Sequence, residues 1–130
     1  AMRRCLDFLA PEALFQFGIR SGTRDEFREM QDHQRLFSSP KELKQALLPF
    51  KNRPLYLTID LDVFDPAYMP GTGTPEAGGI DWKTFQELIA LFSSFTLVGA
   101  DVMELSPTYD PSGISAALAS KVVRETLLLF

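Results

Sequence analysis

The chain has 130 residues, 45% hydrophobic and 23% charged, and its 13 basic and 17 acidic residues give a net charge of −4. This composition is typical of a soluble globular protein, and we predict one domain over residues 1–130. An acidic chain lacks the basic face of a nucleic-acid binder. No apolar run approaches the roughly 20 residues of a membrane span, and Cys5 has no disulfide partner. We therefore expect a cytoplasmic protein without nucleic-acid or membrane partners.

Predicted strands and helices alternate along the chain. Three stretches rich in large apolar residues are predicted strands: residues 14–19, 55–60 and 97–103. Polar residues of the kind that cap helix N-termini precede three predicted helices: Thr23, Ser39 and Asp81. A final helix is expected over residues 112–130. Because strands separated by helices pair in parallel, we predict an α/β fold with a layered parallel sheet.

Two acidic residues stand at the end of the middle predicted strand. Side chains alternate along a strand, so Asp60 and Asp62 should point to the same side with Cα atoms about 6–7 Å apart. Open α/β sheets bind ligands at this carboxyl edge. Adjacent carboxylates repel unless a cation neutralises them, and Mn²⁺ or Mg²⁺ suits such oxygen ligands. The pattern suggests a metal site, although a solvated acidic turn is the commoner explanation of an isolated Asp-x-Asp.

Two other known patterns place acidic residues in this way. A calcium-binding EF-hand loop starting at Asp60 would need an oxygen ligand and a glycine where Phe64 and Asp65 stand, so that match fails. Phosphatases of the haloacid dehalogenase type also place Asp-x-Asp after an apolar strand, but normally with Thr or Val at the position of Phe64. A phosphatase with Asp60 as its nucleophile stays an open alternative.

A loop rich in glycine follows the acidic residues. Residues 70–79 contain four glycines and two prolines, which predicts a tightly shaped, non-helical segment. The loop lacks the Gly-Lys-Ser/Thr of a phosphate-binding loop and the glycine spacing of a dinucleotide fingerprint. Its position beside the acidic pair indicates a shared functional site.

The acidic segment and the loop together resemble the signature of the ureohydrolase family, which includes arginase and agmatinase. The matching run starts with Asp60-Leu61-Asp62-Val63-Phe64-Asp65-Pro66 and continues through residues 70–79. Residues 99–107 resemble the family's last strand, which ends in a substrate-binding Glu, here Glu104, and residues 18–21 resemble an earlier strand. The resemblance covers essentially the whole chain, aligned to the carboxyl-terminal half of a family member.

The resemblance implies a three-layer α/β/α fold with a mostly parallel sheet and two Mn²⁺ ions at the strand ends. Asp60 would bridge both ions and Asp62 would bind one of them, which makes these two the expected catalytic and metal-binding residues. Glu104 would hold the substrate guanidinium, and Thr74 would lie beside the substrate. The implied reaction is hydrolysis of a guanidino compound to urea and an amine by a metal-bridged hydroxide, in a homo-oligomeric enzyme of polyamine biosynthesis.

The sequence lacks other residues of the family pattern. The remaining metal ligands of the family are an Asp-x-His-x-Asp motif and an earlier His, and neither occurs in these residues. The single histidine, His33, lies in a polar stretch and is expected at the surface. We therefore expect the chain to need a missing upstream half, and to be inactive alone with weak Mn²⁺ binding or none.

Two positions favour the agmatinase branch of the family, and agmatine as substrate. Gly71 stands where arginases tend to carry Ala, and Ser106 stands where they carry Asn. Arginine, guanidinobutyrate and other amidino compounds stay possible, because the residues that contact the far end of the substrate would lie mostly upstream. A non-catalytic assembly domain is the remaining alternative, since the missing ligands would permit it.

Overall fold

The strands of the computed structural model, which describes residues 2–130, form two parallel pairs. β1 (Gln16–Phe17) pairs with β2 (Leu36–Phe37), and β3 (Leu55–Asp60) pairs with β4 (Leu97–Met103). The predicted α/β fold and parallel pairing are confirmed, as are the bounds of β3 and β4. β1 is shorter than predicted, and β2 was missed because two residues carry no periodic signal.

Four α-helices connect and follow the strands. α1 (Arg24–Asp32) and α2 (Pro40–Leu47) precede β3, α3 (Trp82–Phe92) connects β3 to β4, and α4 (Ile114–Leu127) follows β4. The last helix is shorter at both ends than predicted. It begins after Gly113, whose left-handed backbone (φ 79°) is incompatible with a continuous helix from residue 112.

The three predicted helix caps are confirmed by their hydrogen bonds. The hydroxyl of Thr23 accepts from the backbone N–H of Glu26 at 3.3 Å, and the carboxylate of Glu26 accepts in return from the backbone of Thr23 at 2.7 Å. Ser39 and Asp81 accept equivalent bonds from the third residue of α2 and α3. Each bond satisfies a backbone donor that the first helical turn leaves without an intrahelical partner.

Helix α3 packs into both hydrophobic clusters of the molecule. Its Phe85 lies in the cluster that β3 and α4 share, which includes Ile59 and Val122. Its Leu88, one turn further along the same helix face, packs with Leu43 in the cluster beneath α2. This burial fixes β3 against its neighbours, since each fully buried side chain of this size contributes roughly 1.5–3 kcal/mol.

The register of β3 and β4 brings two predicted site residues to one edge. Asp60 stands opposite Met103, so Glu104 follows directly where the two strands end together. Parallel pairing leaves both residues at the carboxyl edge of the sheet. The hydrophobic packing of β3 therefore provides a rigid base for the side chains that follow it.

Candidate functional site

The two residues of the acidic pair lie in different elements, Asp60 at the end of a strand and Asp62 in the turn that follows it. Asp60 is the last residue of β3 and also caps a 3-10 turn over Leu61–Val63. Its carboxylate accepts a hydrogen bond from the backbone N–H of Asp62 at 3.0 Å. The strand-alternation argument for Asp62 is therefore wrong, because the chain leaves the extended conformation immediately after Asp60. The turn nevertheless holds Asp62 next to Asp60.

The other two predicted site residues lie at the same edge. The Thr74 hydroxyl donates to the Oδ2 atom of Asp62 over a long 3.4 Å. The side chain of Glu104 lies beside the glycine loop, where a Cβ atom added to Gly73 would be 4.0 Å from Glu104 Oε2, an ordinary van der Waals distance. The structure thus brings Asp62, Thr74 and Glu104 around one side of the loop.

Glu104 has an unusual backbone conformation. Its φ of 69° lies in the left-handed region, which costs free energy for any residue with a Cβ atom. The conformation turns the chain sharply at the end of β4, and the side chain stays exposed. Such strain at a side chain beside other acidic groups is typical of a functional position. No sequence signal indicated it.

Asp60, Asp62 and Glu104 form an acidic edge where β3 and β4 end. The electrostatics of this acidic edge are unfavourable in the protein by itself. Partial burial of the carboxyl group raises the pKa of Asp60, and the negative charges of Asp62 and Glu104 raise it further, against the hydrogen bond from the Asp62 backbone. Within residues 2–130 the salt bridges all lie elsewhere, on Asp7, Glu29 and Glu125. The edge therefore combines three carboxyl groups with no cationic side chain paired to them.

Asp65, five residues after Asp60, has a different role. Its two carboxylate oxygens accept from the backbone N–H groups of Ala67 at 3.0 Å and Gly78 at 2.8 Å. These two bonds are the main causes that lower its pKa. The loop returns so close that a Cβ atom on Gly79 would lie 2.3 Å from the Asp65 nitrogen, which requires glycine there. Asp65 thus shapes the loop.

The glycine loop is also anchored to the start of α4. The backbone N–H of Gly71 donates to the buried hydroxyl of Ser115 at 2.8 Å, and its carbonyl accepts from Ser106 N at 2.7 Å. A Cβ atom on Gly71 would lie 2.8 Å from the Cβ atom of Ser115. Glycine at this position is therefore explained by packing against α4. Ser115 was missed in the sequence, where nothing distinguishes it from other helical serines.

Arg20 is the second residue that the sequence did not identify. It follows β1 and donates hydrogen bonds to backbone carbonyls of the Asp62 turn and of the glycine loop. The only sequence signal was a charged residue in a segment that otherwise reads as a strand end. Its partners are distant in sequence, so this role was not predictable.

Two further observations concern metals and membranes. His33 lies exposed at the end of α1, as expected for a surface histidine. Among residues 2–130, no three or more His, Cys, Asp or Glu side chains are grouped as a metal site would require. No helix in that part of the chain has the length and apolar character needed to cross a membrane.

Comparison with known proteins identifies the family. The model of the Arginase family matches residues 1–129. The chain belongs to the arginase family. This confirms the resemblance seen in the motifs.

Curated relatives of this arginase-family chain are about twice its length. Agmatinase from Halalkalibacterium halodurans is 44% identical over 132 residues, which cover 98% of this chain and 46% of the relative. Agmatinase from Bacillus subtilis is 42% identical with the same share of the relative. The mitochondrial guanidino acid hydrolase of Homo sapiens is 35% identical, and 39% of it is covered. The chain spans about half the length of the relatives it matches.

Solved structures show the same fold. A proposed agmatinase from Clostridium difficile superposes with a TM-score of 0.90 at 38% identity, over 98% of this chain and 48% of that one. Proclavaminate amidino hydrolase from Streptomyces clavuligerus gives a TM-score of 0.83 at 34% identity, over 98% and 46%. The described elements are therefore a partial ureohydrolase fold.

Proposed function

We propose that this chain carries the carboxyl-terminal part of the active site of a manganese-dependent ureohydrolase, which hydrolyses a guanidino compound to urea and an amine. The observation that carries the proposal is the acidic edge itself. The carboxylates of Asp60, Asp62 and Glu104 form no salt bridge in the described structure. Partial burial raises the pKa of Asp60, and the negative charges of Asp62 and Glu104 raise it further. Such an arrangement is favourable only when cations arrive from outside.

The two aspartates fit part of a manganese site and do not complete one. Carboxylate oxygens are the ligands that Mn²⁺ and other hard divalent ions prefer. Asp60 and Asp62 would hold the ions, but two side chains leave most coordination positions unfilled. We propose that residues upstream of this chain supply the rest. Bound manganese supplies the Lewis acidity that makes water a nucleophile near neutral pH.

The chain's other site residues would act on the substrate. Glu104 is placed at a rigid strand end, where its carboxylate could accept two parallel N–H bonds from a planar guanidinium. Its left-handed backbone directs the side chain toward the glycine loop. Thr74, which already donates to Asp62, would keep that carboxylate oriented while the substrate binds. Binding, orientation and charge compensation are thus the contributions of this chain.

Agmatine is the substrate that we favour. The relatives at 42–44% identity that cover nearly all of this chain are named agmatinase, and several others are named for other guanidino or amidino compounds. Agmatine has no carboxylate, so an acidic edge would attract both of its cationic ends. Assembly as a homo-oligomer, location in the cytoplasm and a role in polyamine biosynthesis stay predictions.

Urea release is the test of the proposal. The full-length protein, loaded with Mn²⁺, is incubated separately with agmatine, arginine and guanidinobutyrate, and urea is measured. We expect urea from agmatine at the highest rate and none after removal of the metal by a chelator. A loaded protein that releases no urea from any guanidino compound would contradict the proposal. If Asp60 instead formed a trappable acyl phosphate with a phosphate-ester substrate, the phosphatase alternative would replace it.

A further inference from the structure

Arg20 ties three separate segments together at the acidic edge. Its Nη1 atom donates to the carbonyls of Gly18 and Val63, both at 3.1 Å. Its Nη2 atom donates to the carbonyls of Asp62 at 2.5 Å and Glu76 at 3.0 Å. The guanidinium therefore uses both terminal nitrogens on backbone acceptors from the β1 end, the turn after β3 and the glycine loop.

The Asp62 carbonyl has a particular need for this partner. It belongs to the 3-10 turn over Leu61–Val63, and the last carbonyls of a helical turn find no N–H donor within the turn. Arg20 satisfies that carbonyl and brings a positive charge to the end of the turn where the backbone dipoles leave partial negative charge. The backbone of a proposed metal ligand is thus held directly by Arg20.

The surrounding packing is built around the same side chain. Gly18 and Gly78 both have left-handed backbones, with φ of 73° and 81°. A Cβ atom on Gly18 would lie 2.8 Å from the Val63 side chain, and one on Gly78 would lie 4.0 Å from Arg20 Cδ. Gly18 thus gives Arg20 a carbonyl acceptor while packing against Val63, and Gly78 lies beside the Arg20 side chain, where a Cβ atom would make ordinary van der Waals contact.

We propose that Arg20 is a positioning residue for the metal site, acting through the backbone of Asp62 and through the loop that carries Thr74. This inference rests on the proposed function. Within residues 2–130 the hydrogen bonds of the Arg20 side chain all go to neutral backbone carbonyls, and none goes to Asp60 or Glu104. Its contribution is therefore geometric: it fixes the turn in the conformation that keeps the Asp62 carboxylate beside that of Asp60.

Two substitutions separate geometry from charge. Arg20→Lys keeps the positive charge, but a single ammonium group has no planar fork with which to bridge carbonyls from separate segments. Arg20→Met keeps the approximate length and removes both charge and donors. If geometry is what matters, both variants lose function alike. If charge alone matters, the lysine variant resembles the original protein and the proposal is wrong.

The experiment measures Mn²⁺ affinity and kinetics of the full-length protein and its variants. We expect both Arg20 variants to bind Mn²⁺ about 10- to 100-fold more weakly, the usual effect of removing a group that orients a metal ligand. At saturating Mn²⁺ the KM for agmatine should change little, because both terminal nitrogens of Arg20 are already bound to backbone carbonyls and would not contact the substrate. Unchanged Mn²⁺ affinity in either variant, while the parent protein binds Mn²⁺ and releases urea, would overturn the role of Arg20 and leave the proposed function standing. A parent protein that does neither would contradict the proposed function itself.

Ser39→Ala is the matched control for general destabilisation. It removes the cap of α2, where the hydroxyl accepts from Glu42 N at 3.2 Å, and should lower Tm without changing Mn²⁺ affinity. Weakened Mn²⁺ binding in this control as well would assign the Arg20 effect to lost stability and contradict the proposal.

A measurement on the parent protein needs no variant. The Nη protons of Arg20 should give separate NMR signals that exchange slowly with water, and Nη2 should show scalar coupling to the carbonyl carbon of Asp62. Rapid exchange, as in a free arginine side chain, would overturn the proposal.

Discussion

Two aspartates of this chain, Asp60 and Asp110, meet opposite electrostatic environments. Asp110 is buried and accepts from Ser112 N at 3.1 Å, Ser112 Oγ at 2.5 Å and Ser115 N at 2.7 Å. These bonds lower the pKa of Asp110 to about 2, with the Ser112 hydroxyl as the largest cause. Asp60 accepts from the Asp62 backbone and otherwise faces other carboxylates, and its pKa is raised.

The comparison teaches how to separate a structural carboxylate from a functional one. Asp110 is compensated by donors of the chain itself, so it holds the start of α4 and, through Ser115, the glycine loop. Asp60 is left with an uncompensated charge at the carboxyl edge of the sheet. A protein tolerates such a charge where a ligand provides the compensation. We therefore propose metal binding at Asp60 and a supporting role at Asp110.

The largest expected effect is the loss of turnover in Asp60→Asn. Removing the proposed bridging charge should cost several kcal/mol of transition-state stabilisation, about a thousandfold or more in the rate of urea release. Asp62→Asn should chiefly reduce occupancy of one metal, measured by metal analysis of the same sample. The matched control is Asp81→Asn in the α3 cap, which should keep full activity since asparagine also caps helices. Near-normal urea release by Asp60→Asn would refute the assignment.

Glu104→Gln should separate substrate binding from metal binding. The substitution keeps the shape and removes the charge that would pair with the guanidinium. We expect kcat/KM to fall by roughly two to four powers of ten with metal content intact. Metal analysis and urea kinetics on one preparation decide the matter. Lost metal would make Glu104 a ligand, and unchanged kinetics would leave it without a role.

Manganese binding to residues 1–130 alone should be weak or absent. Asp60 and Asp62 fill only part of the coordination that two ions need, and the described residues contain no group of three ligands. Calorimetric titration with Mn²⁺ should therefore show tight binding for the full-length protein only. Two tight sites on the short chain would contradict the partial-site account.

The two aspartates should affect stability with opposite signs. In metal-free buffer near pH 7, Asp60→Asn should raise Tm slightly by removing carboxylate repulsion, and Asp110→Asn should lower it by several degrees. The lowered pKa of Asp110 makes its contribution complete above pH 3.8 and progressively lost as the pH falls toward 2. The raised pKa of Asp60 makes the folded state less stable as the pH rises through that pKa. Thermal unfolding of both variants across this pH range checks the two expectations. A Tm that changes in the same direction in both variants would contradict the comparison.

Some parts of this molecule were readable from local sequence and others were not. The bounds of β3 and β4 followed from dense apolar residues, and the starts of α1, α2 and α3 followed from caps that act within one turn. The acidic edge was also predicted, because parallel strands end together. The strand bounds and the caps depend on residues that are neighbours in sequence, and the acidic edge follows from the general rule for parallel strands.

The remaining features depend on contacts between distant segments. The two separate strand pairs, the turn that takes Asp62 off the strand and the left-handed backbone of Glu104 have no local signature. The bonds from Arg20 to Asp62 and Glu76 span 42 and 56 residues of sequence. Sequence pattern identified which residue types meet at the site, and tertiary packing decided how they are held.

The most direct measurement is an NMR titration of the carboxyl carbons of Asp60 and Asp110 in one metal-free sample. We predict that Asp60 titrates above the ordinary value of 3.8 and Asp110 near 2. That result would show that the fold compensates one charge and leaves the other for a ligand. An Asp60 that titrates at or below the ordinary value would contradict the claim that its charge is uncompensated.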